Sequence, residues 1–114
     1  MKLITQSIRE KLLANHKATM EAEGADLGHY PVVKLFNPVG GGTWLLSEMD
    51  EQGIAFGLCD LGMGEPELGY VAIQELEQAV LPLGLKIERD VHWTASKKLT
   101  EYADDARCNR CIIA

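Results

Sequence analysis

The chain has 114 residues and a formal net charge of −6, with 46% hydrophobic and 25% charged residues. That length suits one domain with a core that needs no disulfides, and the composition excludes collagen, disorder, a coiled coil and a membrane span. It also argues against a general nucleic-acid binder, since such domains concentrate Lys and Arg. The charge is unevenly placed. Residues 35–85 hold no Lys, Arg or His but eight acids: Glu48, Asp50, Glu51, Asp60, Glu65, Glu67, Glu75 and Glu77. That window is −8 and the remainder +2.

In chain order, the first predicted element is a helix. Thr5 or Ser7 can cap it, and Ser7 with Glu10 has capping-box spacing. Ile8, Leu12 and Leu13 share one face. The helix has room to reach Met20 and ends by Gly24, and residues 24–31 form a connector. Val32–Phe36 is β-branched and apolar, the pattern of a strand. After the turn at residues 37–42, Thr43–Met49 reads as a second strand. After the turn at 50–53, Ile54–Asp60 reads as a third, with Ile54, Phe56 and Leu58 on one face and Ala55, Gly57 and Cys59 on the other. The short connections imply an antiparallel meander, and the small face of the third strand implies close approach of a backbone or helix. A Gly-rich loop follows at residues 61–69, and Gly69-Tyr70-Val71 offers a short edge segment. Ile73, Leu76, Val80 and Leu81 mark a two-turn helix stopped by Pro82. Leu85–Val91 alternates as a strand. A last helix begins near Ser96, with Leu99, Tyr102, Ala103 and Ala106 on one stripe. The expected fold is α+β: a small antiparallel sheet, a three-stranded meander plus one or two further strands, with helices on one side. Residues 1–107 form the domain and residues 108–114 a short tail.

The start of the chain is not expected to be a signal peptide, because Arg9, Glu10 and Lys11 interrupt any apolar run. No stretch approaches the ~18 apolar residues of a spanning helix. The cysteines, Cys59, Cys108 and Cys111, are odd in number and read as reduced thiols in a cytoplasm. Cys108 and Cys111 form a lone C-x-x-C. A zinc site would need Cys59 and one of His16, His29 or His92 to complete four ligands. A redox pair normally opens a helix after a strand, which this one does not. The last four residues, from Cys111 to Ala114, match a prenylation box at Cys111, with Cys108, Arg107 and Arg110 imitating the usual second signal.

Several segments together resemble a bacterial family of domains of unknown function. They are the strand Val32–Phe36, the run from Thr43 to Asp50 (TWLLSEMD), the run from Ile54 to Gly62 (IAFGLCDLG), Pro66–Val71 (PELGYV) and Ile87–His92 (IERDVH). The resemblance covers residues 3–107. It implies a stand-alone cytoplasmic protein of a plasmid or other mobile element, carries no catalytic assignment, and leaves the tail outside the shared pattern.

Two function classes follow. The acidic window favours a partner protein with a basic surface and disfavours direct nucleic-acid binding. Its expected binding residues are Glu48, Asp50, Asp60, Glu65, Glu67 and Tyr70, with Trp44 and Trp93 as further aromatic candidates, although Trp44 fits the core better. A DNA-mimicking inhibitor of a nuclease is a version of this reading, but such mimics are more acidic. The alternative is a metal-dependent phosphodiesterase or nuclease. In it Asp60, Glu67, Glu88 and His92 would hold Mg²⁺ or Mn²⁺, hard ions that prefer oxygen ligands. Lys86 or Arg89 would then have to meet the phosphate. A Cys59–His92 nucleophile pair needs hydrogen-bond contact. The glycines at 40–42 lack the Lys of a phosphate-binding loop, and those at 62 and 64 precede Glu65, which would repel phosphate. The favoured reading is a non-catalytic interaction module without a cofactor or membrane contact.

Overall fold

The Thr5 hydroxyl accepts a hydrogen bond from the Ile8 amide at 3.2 Å and so opens α1 (Gln6–Glu21). It satisfies one of the amides that a helix start leaves unpaired. This is the first element in a computed structural model that describes residues 2–23 and 25–114. Of the two expected caps, Thr5 is used and Ser7 lies inside the helix. Gly24, the expected limit of the helix, falls outside the described residues.

The meander is β1 (Val33–Phe36), β2 (Thr43–Met49) and β3 (Ile54–Asp60). β4 (Glu67–Ala72) is a full six-residue strand where the sequence suggests only residues 69–71. α2 (Ile73–Gln78) follows at once. It is shorter than expected: the backbone is extended again at Ala79, and Val80 is exposed. A single 3-10 turn occupies Pro82–Gly84.

The largest departure is the strand expected over residues 85–91. Only β5 (Glu88–Arg89) pairs, and of the expected inward residues Ile87 is buried while Leu85 and Val91 are exposed. The reason is local. The Asp90 amide still bonds to the Lys34 carbonyl, but the Asp90 carboxylate accepts from the His92 amide and its carbonyl from the Trp93 amide. A side chain that bonds nearby backbone in this way turns the chain out of a ladder.

α3 (Leu99–Asn109) starts three residues later than expected, where the Lys98 amide donates to the Glu101 carboxylate at 3.1 Å. Leu99, Tyr102, Ala103 and Ala106, the predicted stripe, are its four buried residues. α3 includes Cys108 and Asn109, so the boundary expected after residue 107 falls inside a helix.

The protein is α+β, with one antiparallel sheet ordered β4-β3-β2-β1-β5. Two apolar clusters form on it. Leu35, Trp44, Leu46, Met49 and Ala55 join Leu12 of α1 and Ile73 and Leu76 of α2. Leu45 and Leu58 join the α3 stripe. Because neighbouring strand residues point to opposite faces, Trp44 and Leu46 face α1 while Leu45 faces α3. α1 and α2 share one side, and α3 adds a layer on the other.

Gly57 shows how tightly β2 and β3 meet. A Cβ built on it would lie 2.0 Å from the Leu45 carbonyl oxygen. The close approach expected for the small face of β3 is thus one of backbone on backbone. Beside it the register slips between Leu46 and Glu48, leaving Ser47 as a buried bulge residue. We expect Gly57→Ala to destabilise the fold by about 1–3 kcal/mol or more, the cost of overpacking a core. The urea midpoint measures it, and a midpoint equal to that of the parent protein would contradict this account.

Candidate functional site

β2 outruns its neighbour. β1 pairs with β2 only as far as Val33 opposite Leu46, so the backbone edge of β2 beyond that point has no strand beside it. α1 fills the gap with a short polar face. The Asn15 amide donates to the Ser47 carbonyl at 2.9 Å, supplying the bond the missing strand would have made. One turn further on, the Thr19 hydroxyl donates to Glu48 Oε2 at 2.9 Å, and His16 Nδ1 lies 3.4 Å from Glu48 Oε1.

The network continues to His29, whose Nε2 is 3.0 Å from Thr19 Oγ1. A hydroxyl has one proton. Thr19 gives its proton to the carboxylate, so His29 must donate to Thr19 and carries its proton on Nε2. His29 is itself fixed through its carbonyl, which accepts from the Leu99 amide at the start of α3 at 3.0 Å.

This chain of polar groups forms one wall of a groove of about 460 Å³. The remaining walls include Met20 of α1, Asp26 and Leu27 in the connector, Phe56, Leu68 and Tyr70 on the sheet, and Leu99 of α3. The Glu48 side chain is 13% exposed, whereas Tyr70 is 75% exposed and Met20 64%. Phe56 and Tyr70 stack at a tilt, 5.1 Å between centroids. A shielded carboxylate inside an apolar, aromatic rim suits a cation on an aliphatic stem. Reduced solvation strengthens the Coulomb attraction, and a ring face attracts the same charge.

Of the six expected binding residues, only Glu48 and Tyr70 come together here. Asp50 closes the β2–β3 turn, its Oδ1 accepting from the Gln52 and Ile54 amides, each at 2.9 Å. Asp60 is buried and accepts from the Gly62 amide at 2.8 Å and the Ile112 amide at 3.0 Å. It locks the β3–β4 loop and draws the tail onto the domain. The Lys34 ammonium also holds the tail, donating to the main-chain oxygen of Ala114 at 2.9 Å. Glu65 and Glu67 are exposed on either side of buried Pro66.

The alternative metal set is not assembled. Asp60 is opposite Thr43, Thr43 opposite Phe36, and Phe36 opposite Glu88. That is three strand spacings, about 14 Å. Glu67 lies one strand further still, on β4, and His92 is exposed beyond β5. Among the described residues, no group of three or more His, Cys, Asp or Glu is placed to hold a metal ion. Cys59 is opposite Trp44, then Leu35, then Arg89, so it is equally remote from the β5 end where His92 sits. Burial pushes the Cys59 thiol up from its ordinary value, away from nucleophilic use. Cys108 and Cys111 are exposed and unpaired. The glycine loops meet each other instead of a phosphate: a Cβ on Gly41 would lie 2.7 Å from the Gly62 Cα. Trp44 is in the core, as expected, and Trp93 is half-buried against Tyr102.

Sequence reasoning missed Thr19 altogether, and it considered His16 and His29 only as spare zinc ligands. The signal was faint. Asn15, His16 and Thr19 fall on one helix face at i, i+1, i+4, a polar patch close to the apolar one.

A family model described as "Protein of unknown function (DUF2958)" matches residues 3–113. The chain belongs to this family. None of the curated proteins or solved structures gives a match. The family span runs past residue 107, so Cys108 and Cys111 lie within it rather than beyond it. No described helix is long and apolar enough to cross a membrane.

Two outcomes follow. Asp60→Ala removes the charged acceptor of two backbone amides and should cost about 1–3 kcal/mol, with faster hydrogen exchange at the Ile112 amide. Unchanged exchange there would contradict the tether. For the thiols, iodoacetamide at neutral pH should modify Cys108 and Cys111 well before Cys59. The folded state holds the Cys59 proton more tightly than the unfolded chain, whose thiol keeps the value of 9.0. Stability is therefore full below pH 9 and falls as pH rises above it. Equal labelling rates at all three sites would refute the buried, protonated Cys59.

Proposed function

We propose that the protein is a non-catalytic interaction module of a bacterial mobile element that works in the cytoplasm and grips a basic side chain of a partner protein in the groove beside Glu48. The carrying observation is the shielded Glu48 carboxylate inside a rim of exposed apolar side chains. Asp50, Asp60, Glu65 and Glu67 act in this reading through their field and not by contact. With no base in residues 35–85, the field draws basic partners and repels nucleic acid.

The origin and compartment are what the segment resemblance implies.

The test is an NMR titration with short peptides carrying Lys or Arg beside apolar residues. Shifts are expected at Glu48, Phe56 and Tyr70. Glu48→Gln removes a charge-assisted bond of about 1.5–3 kcal/mol, so binding should weaken at least about tenfold, and added salt should weaken binding of the parent protein. Equal affinity for Glu48→Gln, or shifts confined to residues 61–67, would overturn the assignment of the groove.

A further inference from the structure

The two edges of the sheet are treated differently. β5 is only two residues long, and the Arg89 guanidinium beside it reaches the Lys2 and Leu3 carbonyls at 3.0 and 2.8 Å. Short strands and local charge are the usual protections of an edge. β4 has neither feature. It is six residues long, its register with β3 runs unbroken, and its sequence ELGYVA contains no Lys, no Pro and one acid at the very start.

The hydrogen-bond parity identifies its open groups. The Ile73 amide bonds to the Gly53 carbonyl. In an antiparallel ladder, bonded and non-bonded pairs alternate. Val71, Gly69 and Glu67 therefore bond inward to β3, while Leu68, Tyr70 and Ala72 turn their N–H and C=O groups outward. Among the described residues nothing bonds to the outward groups of Leu68 and Tyr70 or to the Ala72 amide, while the Ala72 carbonyl faces the first turn of α2 as its N-cap residue.

We propose that β4 pairs antiparallel with β4 of a second copy of this chain, about a two-fold axis at Tyr70, joining two sheets into one of ten strands. The strand is complementary to itself in that register. Tyr70 bonds to Tyr70 of the second copy, and Leu68 to Ala72 on either side, large against small. All three outward residues of each copy are used, giving four backbone bonds between open groups and two more to the Ala72 carbonyls, which also open α2 and have a second lone pair. Glu67 meets Ile73, so no like charges stand directly opposite within the strands. Glu65 and Glu67 fall at the two ends of the ribbon, exposed to salt that screens them. Any register shifted by one residue would set inward-bonded residues against the open ones and lose the ladder.

Sedimentation equilibrium of the full chain across a concentration series tests this, paired with hydrogen exchange. A reversible dimer is expected, with exchange at the Leu68, Tyr70 and Ala72 amides slowing as concentration rises. Tyr70→Lys sets two ammonium groups opposite each other and should raise the dimer dissociation constant at least about tenfold. Leu68→Pro removes an outward N–H and no bond to β3, and should also give a monomer with the fold intact. Glu48→Gln should leave the dimer unchanged, which separates this proposal from the groove reading. A monomer at every concentration would overturn it. So would a dimer whose three amides stay unprotected, or one that survives both edge variants.

Discussion

The pairing of β2 with β3 places apolar side chains on both sides of a single backbone layer. Leu46 and Ala55 project to one side and Leu45 and Leu58 to the other. Each side therefore needs its own cover. α1 and α2 supply one, α3 the other, and neither helix layer can be dispensed with without exposing fully buried leucines. The contact also demands a glycine. At Gly57 the strands approach so closely that the Leu45 carbonyl occupies the space of a side chain. The adjoining bulge at Ser47 then re-aims the end of β2, which is how Glu48 comes to face Thr19 and His16. Fold and site thus share one origin in the middle of the sheet.

Much of this was legible in the sequence. The boundaries of β2 and β3 match the alternation and the turn residues beside them, and the stripe of α3 is the one its spacing implies. Strong periodicity flanked by Gly and Asp leaves few alternatives. The failures have physical causes. Residues 85–91 alternate like a strand, but the Asp90 carboxylate binds the following amide and ends the ladder after two residues. β4 was underestimated because Gly69 interrupts its apolar pattern. The site was only half legible. Carboxylates that cluster in sequence, Asp50 and Asp60 above all, are taken up by backbone amides in turns. Glu48 meets partners 29 and 32 residues earlier, a proximity that no local pattern encodes.

The negative charge of the central window also takes on structure. Its members divide by task. Asp50 and Asp60 stabilise turns, Glu48 lies in a groove, and Glu65 and Glu67 stand free at the start of an edge strand. The acidity read from composition is therefore several separate roles, which combine only in the long-range field they create. The family match spans this window and both flanking thirds alike, as expected if the arrangement needs the whole domain.

The bond from the Ile112 amide to the Asp60 carboxylate joins positions 52 residues apart. During synthesis the chain emerges from its amino end, so β3 and its loop are made long before their last partner exists. Until α3 and residue 112 leave the ribosome, the Asp60 carboxylate has no tail amide and the Leu45–Leu58 side of the sheet has no cover. Chaperone contact during translation is expected to concentrate on that side.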